Sequence, residues 1–163
     1  MAAINGLALG FRSDASVRVH KFTVMVKSTA NTSNQKTQYA AVPAAQNAAG
    51  ILGVLAEHFV EPNYFVAQGT NPTTVTGSTP TLYNLQNRGM TLQLNGVARC
   101  LAAGAINQGD TLIVADSYGR VQSLATSGIS AGTTVYPVGT AQHAVSNAND
   151  VVQVRLDFSQ TKM

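Results

Sequence analysis

Near the C-terminus, Val152, Val154, Leu156 and Phe158 occupy every second position, with Gln153, Arg155 and Asp157 between them. A period of two places one face of a strand in a core and the other in water. The same alternation runs through Met90, Leu92 and Leu94, with Thr91 and Gln93 between; Asn95-Gly96 then gives a hairpin signal, and Val97 to Leu101 returns. Gly109-Asp110 precedes Thr111-Leu112-Ile113-Val114-Ala115, and Asp116-Ser117-Tyr118-Gly119 reads as a turn before Arg120-Val121. Strands this short, parted by glycine turns at a spacing of about 8–12 residues, close into a sandwich or a small barrel. No internal repeat is visible. The expected class is all-β, a small β-barrel or sandwich.

The chain has 163 residues, enough for one domain or one domain with an arm. Residues 1–40 read as an extended N-terminal arm holding one strand, and residues 41–163 as the β domain. The arm's strand is Val17–Lys27, a β-branched run whose apolar face changes sides near Lys21. Ser28 to Gln38 is polar and reads as a loop; its Asn31-Thr32-Ser33 sequon is expected to be a chance match, since no secretory signal is expected. Pro43 to Ala56 is Ala-rich, but Gly50 and Gly53 would each cost a helix about 1 kcal/mol. A loop leading into a strand at Ile51–Leu55 is therefore preferred, with another strand at Tyr64–Ala67. Residues 68–87, with Pro72, Pro80 and seven Thr/Ser, form a long loop. Met1 to Gly10 is apolar, but no basic residue precedes it and Arg12 closes it early, which does not fit a signal peptide. No run of about 18 apolar residues exists to span a bilayer. A cytoplasmic product without a membrane partner is expected.

Charge narrows the partners. Only 10% of residues are charged, against a usual figure of about 25%. Asn, Gln, Ser and Thr supply the polarity, and hydrophobic residues reach 45%, so neither a charged disordered tail nor a coiled coil fits. The net charge is +3, concentrated in the leading segment, where Arg12, Arg18, Lys21, Lys27 and Lys36 face Asp14 alone. Nucleic acid calls for clustered cations with interleaved aromatics. Five spaced cations suit the carboxylates of a protein partner, or serve only to keep a low-charge chain soluble. The candidate interface residues are Arg12, Arg18, Lys21, Phe22, Lys27 and Lys36.

Catalytic chemistry finds little purchase. His20, His58 and His143 are far apart in sequence and lack metal-ligand spacing. Glu57, His58 and Glu61 cluster before Pro62, and a solvated loop is favoured over an acid–base or metal role. No phosphate loop, nucleophile elbow or dinucleotide fingerprint occurs. Asp110 and Asp116 flank a strand beside turn signals, where Asp bonds backbone. Cys100 lies in a Val/Leu/Ala run, as a small buried hydrophobe does. Trp is absent, which weakens a sugar-stacking platform. The expectation is a non-enzyme without cofactor or metal, working by contact: few charges mean little repulsion between copies, and small side chains lose little rotamer entropy at an interface.

Residues 96–121 carry a resemblance. Gly96-Val97-Ala98, Ala103-Gly104-Ala105-Ile106-Asn107-Gln108-Gly109-Asp110-Thr111-Leu112 and Asp116-Ser117-Tyr118-Gly119-Arg120-Val121 follow the order of the G-V-A…A-G-x-I-x-x-G-D-x-L…D-x-x-G-R-V stretch of tailed-phage capsid cement, or head decoration, proteins. Val138-Gly139-Thr140-Ala141 and Asn149-Asp150-Val151-Val152-Gln153-Val154-Arg155-Leu156 resemble that family's V-G-x-A and closing G-D-x-V-x-V-x-L pieces, with Asn149 where Gly is usual, and Ile51–Leu55 its early strand. The resemblance covers the C-terminal two thirds of the chain. It implies a compact, commonly trimeric β fold made in the host cytoplasm and placed on the capsid exterior of the virion, where it clamps major capsid protein subunits without touching nucleic acid. Residues 1–40 would then reach a neighbouring subunit. Gly96, Gly104, Gly109, Asp110, Gly119 and Gly139 are read as turn formers. A phage tail, baseplate or fibre module, a carbohydrate-binding β domain, and a hydrolase built on Glu57, His58 and Glu61 are the competing readings.

Overall fold

A computed structural model of the chain describes residues 8–14, 19, 21–29, 39–56, 89–158 and 161–162. The fold is all-β. Strands β1 (Ala8–Ser13), β2 (Val24–Lys27), β3 (Tyr39–Ala41), β4 (Ile51–Leu55) and β5 (Gly89–Gln93) close a barrel in the order β1-β3-β2-β4-β5. Strands β6 (Val97–Leu101), β7 (Thr111–Val114), β8 (Val121–Ser123), β10 (Pro137–Ala141) and β11 (Val151–Leu156) form a second sheet in the order β6-β11-β10-β7-β8. A short ribbon pairs β9 (Thr134–Val135) with β12 (Thr161–Lys162), and a 3-10 turn spans Leu124–Thr126.

Two cores sit on either side of one wall. Met25 and Leu55 point into the barrel with Phe11, Ala40, Met90 and Leu92. Their neighbours Val24 and Val54 point the other way, onto Cys100, Leu112, Val114, Val121, Val138, Val152 and Val154 of the second sheet. Strands β2 and β4 are thus apolar on both faces, which explains why the sequence around Val24 does not alternate cleanly. Each such buried Val, Leu or Met side chain contributes about 1.5–3 kcal/mol over its exposed state. Gly119 locks the two halves together: Val24 N–H donates to its carbonyl (2.8 Å), and a Cβ at Gly119 would lie 2.6 Å from Val24 O.

The expected strand over Val17–Lys27 is interrupted. Lys21 and Phe22 form a turn, with Phe22 at φ 69°, and among the described residues of that run Val24–Lys27 is strand; Val17, Arg18 and His20 lie outside the described residues. The left-handed conformation of a non-glycine residue is unfavourable by roughly 1–2 kcal/mol. It is held from both sides here, since Phe22 N–H donates to Leu55 O (2.7 Å) and Leu101 N–H donates to Phe22 O (3.0 Å). The described parts of residues 1–40 do not stand off as an arm. Strand β1 pairs antiparallel with β5 from Ala8↔Gln93 to Arg12↔Gly89 and parallel with β3, so it is a stave of the barrel. The expected strand at Tyr64–Ala67 and the loop 68–87 lie outside the described residues.

Asn95-Gly96 is a corner and not a hairpin. Strand β5 pairs with β1 and β4, whereas β6 pairs with β11, so the chain leaves the barrel at this point for the second sheet. Buried Gln93 fastens the corner by donating its side-chain amide to Asn95 O (3.2 Å) and Val97 O (2.8 Å). Burial of that polar side chain answers a need that alternation alone cannot show: two carbonyls at a bend lack a ladder partner.

The second sheet contains a pseudo-two-fold axis, an internal repeat that the sequence conceals. Ala102 N–H donates to Asp150 O, as Ala141 N–H does to Asp110 O, both at 2.9 Å. Asn149 N–H donates to Ala102 O (2.7 Å), as Gly109 N–H does to Ala141 O (2.9 Å). On the axis, Ile106 and Val145 exchange both backbone bonds at 2.9 Å. In each half an Asn-x-x-Asp turn follows, with the Asp carboxylate accepting the Asn N–H, at 3.0 Å for Asp110 to Asn107 and 2.9 Å for Asp150 to Asn147. The third turn residue is left-handed in both, Gly109 at φ 87° and Asn149 at φ 68°. Asn tolerates that region better than most residues, which is why the second copy survives without glycine.

Candidate functional site

Of the six leading-segment interface candidates, Arg12, Lys21, Phe22 and Lys27 are described; Arg18 and Lys36 lie outside the described residues, as do Glu57, His58 and Glu61. Arg12 on β1 and Lys27 on β2 are exposed and flank β3 through Arg12↔Tyr39 and Lys27↔Ala40. With strands about 4.8 Å apart, their backbones stand roughly 10 Å from one another. Lys21 is exposed, its Nζ 5.1 Å from the centre of the Phe22 ring. Phe22 is half-buried and its backbone joins β4 to β6, so it is a junction residue of the body and not a docking side chain on an arm.

The motif residues divide by physical role. Gly96, Gly109 and Gly119 have positive φ at turns, and Asp110 closes its turn through the Asn107 N–H. Gly139 departs from the turn-forming expectation. It lies buried inside β10, beside a register shift, where a Cβ would overlap the Arg155 carbonyl oxygen and approach Val154 Cγ1 to 2.9 Å. Gly104 has no positive φ and nothing within 4 Å of a Cβ, so nothing in the structure demands glycine there.

Several titratable groups of the described residues, Asp116, Arg120, Asp14 and Cys100, are committed to the fold. Asp116 receives the Tyr118 N–H (3.0 Å) on one carboxylate oxygen and Arg120 Nε (2.8 Å) on the other, with Arg120 Nη2 at 2.6 Å. Arg120 also reaches Asn149 Oδ1 (3.2 Å), which ties this turn to one of the two pseudo-symmetric turns. The Asp14 carboxylate accepts the Ser28 hydroxyl at the end of β1. Cys100 is fully buried, and desolvation pushes its thiol up to about 12. A thiol in that state is protonated at neutral pH and is a poor nucleophile. No group of three or more His, Cys, Asp or Glu side chains gathers among the described residues.

What the surface offers is a face. On β6 and β11 the exposed residues fall opposite one another as Val97↔Arg155, Arg99↔Gln153 and the half-buried Leu101↔Val151. Thr140 of β10 stands opposite Arg155 and Thr111 of β7 opposite Thr140, extending one row across four strands. Alternation announces Gln153 and Arg155 of this face but not the exposed Val97 and Val151, which are as apolar as their buried neighbours. Register, which brings the face together, is a property of the pairing and is not written in either strand alone.

The fold has a counterpart among solved structures. The crystal structure of the head fiber gp8.5 N base in bacteriophage phi29 superposes with a TM-score of 0.52 at 12% sequence identity, over 96% of this chain and 98% of that one. No protein-family model and no curated protein matches the sequence.

Proposed function

We propose that this chain is a structural component of a tailed-phage virion that binds the outer surface of the head and braces neighbouring major capsid protein subunits. The observation that carries the reading is a barrel-plus-sheet fold shared over nearly the full length of both chains with a protein described as the base of a phage head fiber. Three properties of the chain support it. Few charges limit repulsion between copies packed on a lattice, with 10% of residues charged. Thr, Val and Ala on the strand faces lose little rotamer entropy when covered. A rigid all-β body, its strand ends tied by side-chain bonds such as those of Gln93, transmits load without internal rearrangement.

Such a protein works through area and number of contacts, without a reacting group or cofactor. A homotrimer placed where capsomers meet would combine several weak contacts through effective concentration. The fiber-base description of the fold neighbour favours one second reading: this chain is the foot of a longer head appendage, and the head remains its partner. Addition of purified protein to expanded, undecorated heads, followed by sedimentation, tests the proposal. Saturable co-sedimentation at a fixed ratio to the major capsid protein is expected. Failure to pellet with heads from its own phage overturns it.

A further inference from the structure

Asp14, Asp110, Asp116 and Asp150 spend their carboxylates internally, whereas part of the guanidinium complement is presented outward. Asp116 pairs with Arg120, Asp110 and Asp150 hold turn N–H groups, Asp14 holds Ser28, and Asp157 has a partner of its own. Arg99 and Arg155 are exposed, and neither forms an ion pair among the described residues. They share the outer face of β6 and β11 with Val97 and Val151, which are 44% and 40% exposed. Arg155 lies directly opposite Val97 and diagonal to Arg99, with Val151 at the far end of the strand pair opposite Leu101. Two open guanidiniums with an apolar side chain at either end form a patch whose complement is carboxylates flanked by apolar area. The guanidinium fork matches a carboxylate in two parallel bonds, which gives such a contact orientation as well as attraction.

The edge of β6 is less available than its face. Leu101 N–H already donates to Phe22 O, and Val97 O already accepts from Gln93. An added strand would therefore meet an edge already occupied at Val97 O and Leu101 N–H, with free backbone at Arg99 between them, and the exposed side chains of the face offer the larger contact. Nucleic acid is disfavoured as occupant, because its footprint needs clustered cations with aromatics to stack on, and none of the residues of this face is aromatic.

We infer that the Val97/Arg99/Val151/Arg155 face is the docking surface for an acidic protein patch. Under the head-binding proposal, on which this inference rests, that patch belongs to the major capsid protein. The experiment compares the full-length wild-type chain with Arg99→Glu/Arg155→Glu, both exposed changes, in head binding at low and moderate salt, with thermal unfolding of each variant recorded. Losing two interfacial charge pairs and replacing them by repulsion is expected to weaken head binding at least about tenfold with no change of fold. Wild-type binding should also weaken as salt rises, since screening shortens to about 3 Å at 1 M. Milder Arg99→Gln/Arg155→Gln changes should give a smaller loss of the same sign. Equal binding by wild type and the reversed variant overturns the face assignment while leaving the head-binding proposal intact. A wild type that ignores heads overturns both. Two further outcomes also refute the assignment: binding of duplex DNA that the reversal abolishes, and a reversal that changes only the oligomeric state.

Discussion

Gly139 and Gly104 occupy equivalent-looking places in a glycine-punctuated sequence, and the structure makes opposite demands of them. In Gly139→Ala the new methyl overlaps Arg155 O and lies 2.8 Å from the Arg155 carbonyl carbon, so β10 must move away from β11. Overpacking of this kind costs about 1–3 kcal/mol. Parting β10 from β11 also weakens the neighbouring Asp157 N–H to Val138 O bond (3.0 Å), worth about 1 kcal/mol net. The expected loss is about 2–4 kcal/mol, and at about 2–4 °C per kcal/mol for a chain of this size the midpoint falls by roughly 4–16 °C. Gly104→Ala meets nothing within 4 Å and needs no left-handed backbone. Its expected effect is neutral or stabilising by up to about 1 kcal/mol, through the lower entropy of the unfolded chain. Urea titration followed by circular dichroism measures both. Equal losses at the two positions, or an unaffected Gly139→Ala, would refute the strand-packing account.

Gln93→Leu should destabilise by about 1 kcal/mol, because it removes the amide that donates to the Asn95 and Val97 carbonyls at this part-buried corner; chemical denaturation reads the change. The pseudo-two-fold predicts that Asp110→Ala and Asp150→Ala cost similar amounts, about 1 kcal/mol each, in the same titration. Cys100 should resist thiol reagents at pH 8 until denaturant opens the core. Its folded thiol sits near 12 against an ordinary value of 9.0, so its contribution to stability is complete below pH 9 and declines as pH rises from there through 12. Thermal midpoints across that range, compared with Cys100→Ala, isolate the effect.

Strands β6 and β11 were legible because each has one wet face. Val97–Leu101 and Val151–Leu156 show full alternation, and their polar positions are the exposed ones. Strand β4 was legible at Ile51–Leu55 from its β-branched and apolar run between glycine and polar segments. Strand β1 was not, since Ala8 and Gly10 carry no side-chain signal, and the barrel assigns them by pairing with β5. Asn95-Gly96 carries hairpin chemistry yet makes a corner, because the left-handed residue that suits a two-residue hairpin equally suits an abrupt change of sheet. The repeat around Ile106 and Val145 stayed hidden because backbone bonds define it, while the side chains diverged and Ser146 adds one residue to the second copy. Reading the cations of residues 1–40 as an arm failed at Arg12 and Lys27 for a related reason: charge density along the chain does not report which segments close a barrel. The face with Arg99 and Arg155 was written in the alternation of two strands, but only their register brings the two arginines into one patch.

Electron cryo-microscopy of heads incubated with the purified chain tests the central claim most directly. Density the size of this barrel and sheet, repeated at symmetry-related positions outside the shell and contacting more than one major capsid protein subunit, is the predicted result. Bare heads at saturating protein, with the chain folded in the supernatant, would contradict it.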